Sequence, residues 1–314
     1  MPLDLPHDDE GLLLRRTAIA CGLDDNWLAR AVREGSLVRI RHGAYADAQQ
    51  WRALDRVGRH ALLSRAVMRQ YDGRVALSHA SAHVVRGGPD WGLPLDTVNL
   101  TSLVGRGDRR QAGVTHHRGV ARVGDVSRLH GHWITSPPRT AVETAATLPM
   151  EAAVCVLDWT LHEGLATPQI LQRYAEDWMR EWPGTIGLPA AVALTDGRSE
   201  SVGETRSRLL LQSLGYDPEP QWEVFHPSGR LAGRVDLRLR AQRQMVEFDG
   251  RMKYGRLLRP GQTISDVIAA ERAREVLLEE LTGLRMLRLT WSDLDDPERL
   301  RARIERMSRD RRAA

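Results

Sequence analysis

Lysine is almost missing from this chain: of its 45 basic side chains one is lysine, Lys253, and the rest are arginine. A GC-rich coding sequence produces that bias with no ligand involved. Arginine's planar fork of donors also matches phosphate oxygens, so an anionic partner such as nucleic acid is the other reading. Cysteine is nearly as scarce. Cys21 and Cys155 stand alone, neither in a CxxC pair, which excludes a disulfide framework and a cysteine zinc site. No apolar run approaches the ~20 residues a membrane span needs. The first ten residues, MPLDLPHDDE, are acidic and carry no signal-peptide core, so a cytoplasmic protein without a membrane partner is expected.

What is present reads as globular: 314 residues, 42% hydrophobic and 27% charged, with a net charge of +4. That length holds two or three domains. The composition shifts along the chain place them at 1–52, 53–195 and 196–314, with the polar stretch TDGRSESVGE at 195–204 as the last linker.

The first block predicts helix, tight turn, helix and hairpin. Leu13, Ala20, Leu28, Val32 and Leu37 recur at helical or near-helical spacing, Gly22 ends the first helix, and Asp24 or Asp25 caps the second. VRIRHGAY then alternates Val38 and Ile40 with Arg39 and Arg41, turning at His42-Gly43. These are the parts of a winged helix-turn-helix, whose second helix can enter a major groove. Asn26, Arg30, Arg33, Arg39 and Arg41 would face double-stranded DNA. The bland alternative is a small bundle with a solvated basic face.

The middle block is mixed α/β. SHASAHVV reads as a short helix, DTVNLTS, GVTHHRG and HWITS as strands, and PPRTAVETAATL as a helix with proline in its first turn. Two further helices follow, MEAAVCVLDWTLHEG and TPQILQRYAEDWMREW. His79, His83, His116 and His117 could in principle hold a metal, but no acid or cysteine completes a familiar spacing, so packed or exposed histidines are expected.

The third block predicts helix, strand, strand, strand, helix, strand, helix. SVGETRSRLLLQSLG is a helix ended by Gly215, and Val235, Leu237 and Leu239 alternate with Arg234, Asp236 and Arg238 on a strand. In MVEFD, Val246 and Phe248 point one way, Glu247 and Asp249 the other. Neighbouring strands lie about 5 Å apart, so Asp236 and Glu247 can grip one hard cation, Mg²⁺ or Mn²⁺, with Glu204 joining from the helix. Such a metal activates water against a phosphodiester, and Lys253 would add a compact positive charge. Each acid has a plainer reading. Ser201 and Glu204 form a capping box in outline, Asp236 can pair with flanking arginines, and Asp249-Gly250 can be a turn.

ESVGETRSRLLLQSLG, GRVDLRL, MVEFDGRMKY, AAERAREVLLEELTG and MLRLTWSDL, over about residues 199–295, together resemble the PD-(D/E)XK nuclease superfamily, in the branch similar to very-short-patch repair endonucleases. The resemblance implies a restriction-endonuclease-like αβββαβ core, an endodeoxyribonuclease activity, and metal-binding acids at Asp236, Glu247 and Glu204. One departure stands out. The superfamily's lysine usually follows the second acid by two residues, where this chain has Asp249, and Lys253 lies four residues further on. Lys253 could substitute, Asp249 could be a further catalytic acid, or the centre could bind DNA without cutting it. The N-terminal stretch TAIACGLDDNWLARAVREGSLVRIRHGAY, followed by ALSHASAHVV and TSPPRTAVETAA, resembles AbiEi-like antitoxins of type IV toxin–antitoxin systems. That implies DNA binding, promoter repression and a cognate toxin as partner. The expected function is therefore a DNA-binding metal-dependent endonuclease, or alternatively a DNA-binding regulator or antitoxin whose nuclease-like block is inactive. A weaker third is a toxin-binding protein with no DNA role.

Overall fold

The computed structural model describes residues 11–71, 73–104, 109–119, 122–182, 184–250 and 263–310. Lys253 lies outside them. Contacts divide the chain into two units, one formed by Met1–Leu148 with Ile170–Ile186, the other by Pro149–Gln169 with Gly187–Ala314. The fold is α+β, with three separate sheets among the described residues. No described helix is long and apolar enough to cross a membrane.

The first unit begins with β1 (Leu12–Leu14), α1 (Arg15–Ala20), α2 (Asp25–Arg33), β2 (Leu37–Arg41) and β3 (Ala44–Asp47), the strands ordered β1-β3-β2. This is a winged helix. Leu13 was expected on a helix, and instead it sits on β1, because both faces of that strand are covered. Leu12 and Leu14 pack with Ala44 and Ala46, while Leu13 packs with Ala18, Leu28 and Leu37. A short, wholly apolar run has no periodicity to separate a buried strand from a helix. The buried alanine of α1 is correspondingly Ala18, and Ala20 is exposed.

Next come α3 (Ala48–Ala53), α4 (Arg56–Met68), β4 (Val75–Leu77), α5 (His79–Val85), β5 (Val98–Ser102), β6 (Arg109–Gln111), β7 (Val114–Arg118), β8 (Val126–Leu129), β9 (His132–Thr135) and α6 (Pro137–Ala145). The six strands form one mixed sheet, ordered β6-β7-β5-β4-β9-β8. Its core joins Leu77, Leu100, Val114 and Ile134 to Val67 and Met68 of α4. Expected strands β5, β7 and β9 and helices α5 and α6 are all present, whereas β4, β6, β8 and α4 were not anticipated. A π-turn at Tyr174–Trp178 completes this unit.

The second unit holds α7 (Met150–His162), α9 (Leu188–Ala193), α10 (Val202–Ser213), β10 (Pro218–Phe225), β11 (Leu231–Leu239), β12 (Gln244–Phe248), α11 (Ile264–Thr282), β13 (Arg285–Leu289), α12 (Trp291–Leu294) and α13 (Pro297–Asp310). A further short helix, α8 (Pro168–Arg173), precedes the π-turn. Sheet order is β10-β11-β12-β13, antiparallel at the first two contacts and parallel at β12–β13, where α11 makes the crossover. The expected helix–strand order of this block is thus present. Two buried clusters flank the sheet. Leu211, Leu237, Leu239, Val246, Leu287 and Leu300 form one, and Val224, Val235, Met245, Leu278 and Met286 the other. Val235 was expected to share a side with Leu237 and Leu239. Val235 instead packs with Met245 and Met286, and Gln221 of the neighbouring β10 has a φ of 55°.

Candidate nucleic-acid interface and acid row

In the winged helix, Asp24 caps α2 by accepting from the Trp27 N–H at 2.7 Å. Asp25 does a different job, taking a two-pronged bond from Arg15 at 2.7 and 2.5 Å that ties α1 to α2. That guanidinium holds the Asp25 carboxyl below its ordinary pKa. Leu28 and Ala31 bury one side of α2, which leaves Asn26, Arg30 and Arg33 exposed at positions i, i+4 and i+7 on the other. Arg39 is exposed on β2. Arg41 is not part of that open surface. Its guanidinium donates to Gln70 Oε1 and to the Ala112 carbonyl, both at 2.9 Å, and so braces the wing against the rest of its unit.

In the second unit, the β11–β12 register ends at Leu237–Val246, so Asp236 and Glu247 are the next residues beyond its last pair on the two strands. Glu247 is paired with Arg288 on β13, and Gln221 and Asp236 each fall between the Pro220–Leu237 and Trp222–Val235 pairs of β10 and β11. Gln221, Asp236, Glu247 and Arg288 thus occupy successive neighbouring positions across the four strands. Glu204, in the first turn of α10, joins them through Gln221, whose amide donates to Glu204 Oε2 at 2.7 Å. Ser201 caps α10 as expected, but the Glu204 carboxylate accepts from the Glu200 N–H at 2.9 Å and the Ser201 hydroxyl at 2.8 Å rather than from the Ser201 N–H. Asp236 accepts from the Phe248 N–H at 2.7 Å. Glu247 is held by Arg274 of α11 at 2.7 Å, with Arg288 3.8 Å from its other oxygen. Asp249 continues the strand, donating its N–H to Leu289 at 2.7 Å, with Gly250 after it. Among the described residues no three histidine, cysteine, aspartate or glutamate side chains are grouped to hold one metal ion.

The row is anchored by a close helix–sheet approach. A Cβ built on Gly203 would lie 2.0 Å from the Phe248 ring, which stacks edge-on against Trp291. Gly203→Ala is therefore expected to destabilise by about 1–3 kcal/mol in urea unfolding. Overpacking of that size outweighs the ~1 kcal/mol that alanine ordinarily gains over glycine in a helix.

A buried polar network in the first unit was not foreseen. Arg139 on α6 is 1% exposed and pairs with Asp125 at 2.9 Å and Glu143 at 2.8 Å. Tyr174 donates to Asp125 at 2.7 Å, and burial followed by that bond pushes its phenol up to about 12. Glu143 Oε2 stands 3.7 Å from His79 Nδ1, and the His79 ring stacks on His117 at 3.6 Å. His83 is packed, as expected, with burial driving its pKa down to about 4, and His116 bonds the Tyr71 hydroxyl. The acid beside His79 escaped notice because it comes from α6, 64 residues further along. A second buried pair, Arg208–Asp158 at 2.8 Å, joins α10 to α7 in the other unit.

The N-terminal module is thus a winged helix-turn-helix with an exposed basic helix face. Residues 6–46, which include that module to the end of its wing turn, match the family described as transcriptional regulator, AbiEi antitoxin. Among solved structures the chain is similar to the Rv2827c protein of Mycobacterium tuberculosis, at 16% identity over 63% of this chain and 75% of that one, with a TM-score of 0.38. No curated protein matches it.

Proposed function

We propose that this chain is a DNA-binding protein of the transcriptional-regulator type, which docks α2 in the major groove of a duplex and lays Arg39 of the wing against the phosphates. The observation that carries this reading is the exposed Asn26–Arg30–Arg33 face on a helix-turn-helix lying within the segment that matches the regulator family. Phosphate contacts supply affinity by releasing counterions, and each one adds about 0.9 to the slope of log K against log salt. The double substitution Arg30→Ala, Arg33→Ala is expected to weaken binding of a fluorescently labelled duplex and to flatten that slope by up to about 2. Unchanged anisotropy titrations across salt would remove α2 from the interface. In this reading residues 1–52 read DNA, 53–195 form a supporting block, and a cognate toxin protein is the further partner that the family's description brings with it.

A second reading, a DNA endonuclease in residues 196–314, is supported by one observation: Asp236 and Glu247 follow the last β11–β12 pair on adjacent strands, and Glu204 is bonded to Gln221 of the next strand. Oxygen donors so placed suit Mg²⁺ or Mn²⁺. The fit is partial, because Glu204 already accepts from the Glu200 N–H and the Ser201 hydroxyl, and Arg274 already neutralises Glu247. Loading a divalent ion would require Glu247 to exchange Arg274 for the metal. Cleavage of duplex DNA that needs Mg²⁺ or Mn²⁺ and is lost in Asp236→Asn would select this reading. Tight binding without cleavage leaves the regulator.

A further inference from the structure

The turn of the wing is tied to a second hairpin of the same unit. Arg41, at the end of β2, donates to the Ala112 carbonyl, and the Gln70 amide donates to the His42 carbonyl in the wing turn, each at 2.9 Å. Ala112 and Gly113 are the two-residue turn between β6 and β7, with φ of 49° and 74°. Two successive positive φ values mark the tight turn whose twist suits a hairpin. The turns of the two hairpins are thus pinned side by side.

Strand period decides which side chains of β6 stand toward the wing. β6 is an edge strand of the six-stranded sheet, and its three residues are all exposed. Arg109 is paired with His116 and Gln111 with Val114, so these four share one face, on which Val114 joins the core cluster with Val67 and Met68 of α4. Arg110 falls on the other face, where Asp96 holds it at 2.8 Å. His116 records how near the cations come. Burial first, then Arg109, then Arg41 lower its pKa, so one arginine from each hairpin bears on the same ring. The two acceptors of Arg41, Gln70 Oε1 and the Ala112 carbonyl, are neutral, and these bonds fix the side chain without cancelling its charge. β2 is itself the outer strand of its sheet and carries Arg39 exposed.

We propose that the β6–β7 hairpin is a second wing, with Arg109 contacting the phosphates of the duplex that α2 enters, next to those met by Arg39. The inference rests on the docking of α2 proposed above. A phosphate contact requires an exposed guanidinium at a fixed place and no readout of base edges. Arg109 is exposed, its strand is fixed by pairing with β7, and the hairpin turn is held to the wing by Arg41. Arg41 is then a positioning residue, and its charge adds to the field that the duplex meets.

Fluorescence anisotropy of the full chain with a labelled duplex of random sequence, titrated over a series of salt concentrations, tests this. Random sequence suffices because phosphate contacts carry no sequence information. Arg109→Gln is expected to flatten the slope of log K against log salt by about 0.9, the value of one phosphate contact. Arg110→Gln removes an equal charge from the same strand on its other face, and is expected to change the slope by less than about 0.3. Circular dichroism checks the folding of both variants. The proposal is overturned if Arg109→Gln keeps the wild-type slope while Arg30→Ala, Arg33→Ala loses it, which leaves α2 docked and the second hairpin off the DNA. It is overturned as well if Arg110→Gln flattens the slope as much as Arg109→Gln, since the effect is then one of net charge. A wild type that binds no duplex, or an unchanged slope in both the α2 and the Arg109 variants, removes the docking of α2 together with this inference.

Discussion

Arg139→Met is expected to lower the unfolding free energy by about 3–5 kcal/mol near neutral pH, the range for removing one partner of a buried ion pair. Arg139 pairs with both Asp125 and Glu143, and neither acid has solvent to turn to. Methionine fills much of the same volume, so the loss reports uncompensated charge more than a cavity. The pH dependence identifies the cause. Burial already holds the Glu143 carboxyl above its ordinary pKa, against the pull of Arg139. In the variant that pull is gone, so the folded-state pKa rises further. A carboxyl whose folded pKa exceeds its unfolded value, about 4.3, contributes stability below that value and loses it as pH rises through the folded pKa. The deficit should thus be largest at about pH 8 and shrink toward about pH 5 as Glu143 takes up a proton. Urea unfolding at both pH values checks this. A deficit under ~1 kcal/mol at the higher pH, or one that grows on acidification, would show that Arg139 does not neutralise the pair.

If residues 196–314 cut DNA, Asp236→Asn and Glu247→Gln should each reduce metal-dependent nicking of a supercoiled plasmid by about 10²-fold or more, the scale for losing one preorganised electrostatic contact in an active site. Both substitutions keep the side-chain shape and can keep the Phe248 N–H contact at Asp236 and a donor–acceptor contact at Glu247. The winged helix is untouched in each, so duplex binding should stay at wild-type strength. Arg274→Ala acts in the opposite sense on Glu247. It frees the carboxylate, so Mn²⁺ should stabilise this variant against heat more than it stabilises the wild type, because a ligand that binds only the folded state raises its stability by mass action. Nicking that survives both acid substitutions would detach the activity from this row. Nicking absent from the wild type in either metal leaves the DNA-binding regulator as the function.

Much of the local architecture was legible from residue pattern. The wing followed from Val38 and Ile40 alternating with arginines before His42-Gly43, and the helix start at Ser201 from the capping spacing to Glu204. The adjacency of the strands that carry Asp236 and Glu247 followed from two alternating runs in sequence. Where expectation failed, the competing effect was tertiary. Leu13 joined a strand because both of its faces are buried, and Val235 packs with Met245 and Met286 rather than with Leu237. The bonds of Arg41, expected as a DNA contact, to Gln70 and the Ala112 carbonyl had no signal in the local pattern.

By itself, the sequence determined the winged helix, the α+β class and which acids could share a row. Those depend on periods of 2 and 3.6 residues, on capping spacings and on turn glycines, all carried by neighbours in the chain. Only the tertiary structure decided what those acids are bonded to. It placed Arg274 on Glu247, Arg139 between Asp125 and Glu143, and Arg41 of the wing on the Ala112 carbonyl. Arg139 and Glu143 are i, i+4 neighbours on one helix, but Asp125 lies 14 residues from Arg139 and Glu247 27 from Arg274, on elements brought together by burial of their apolar faces.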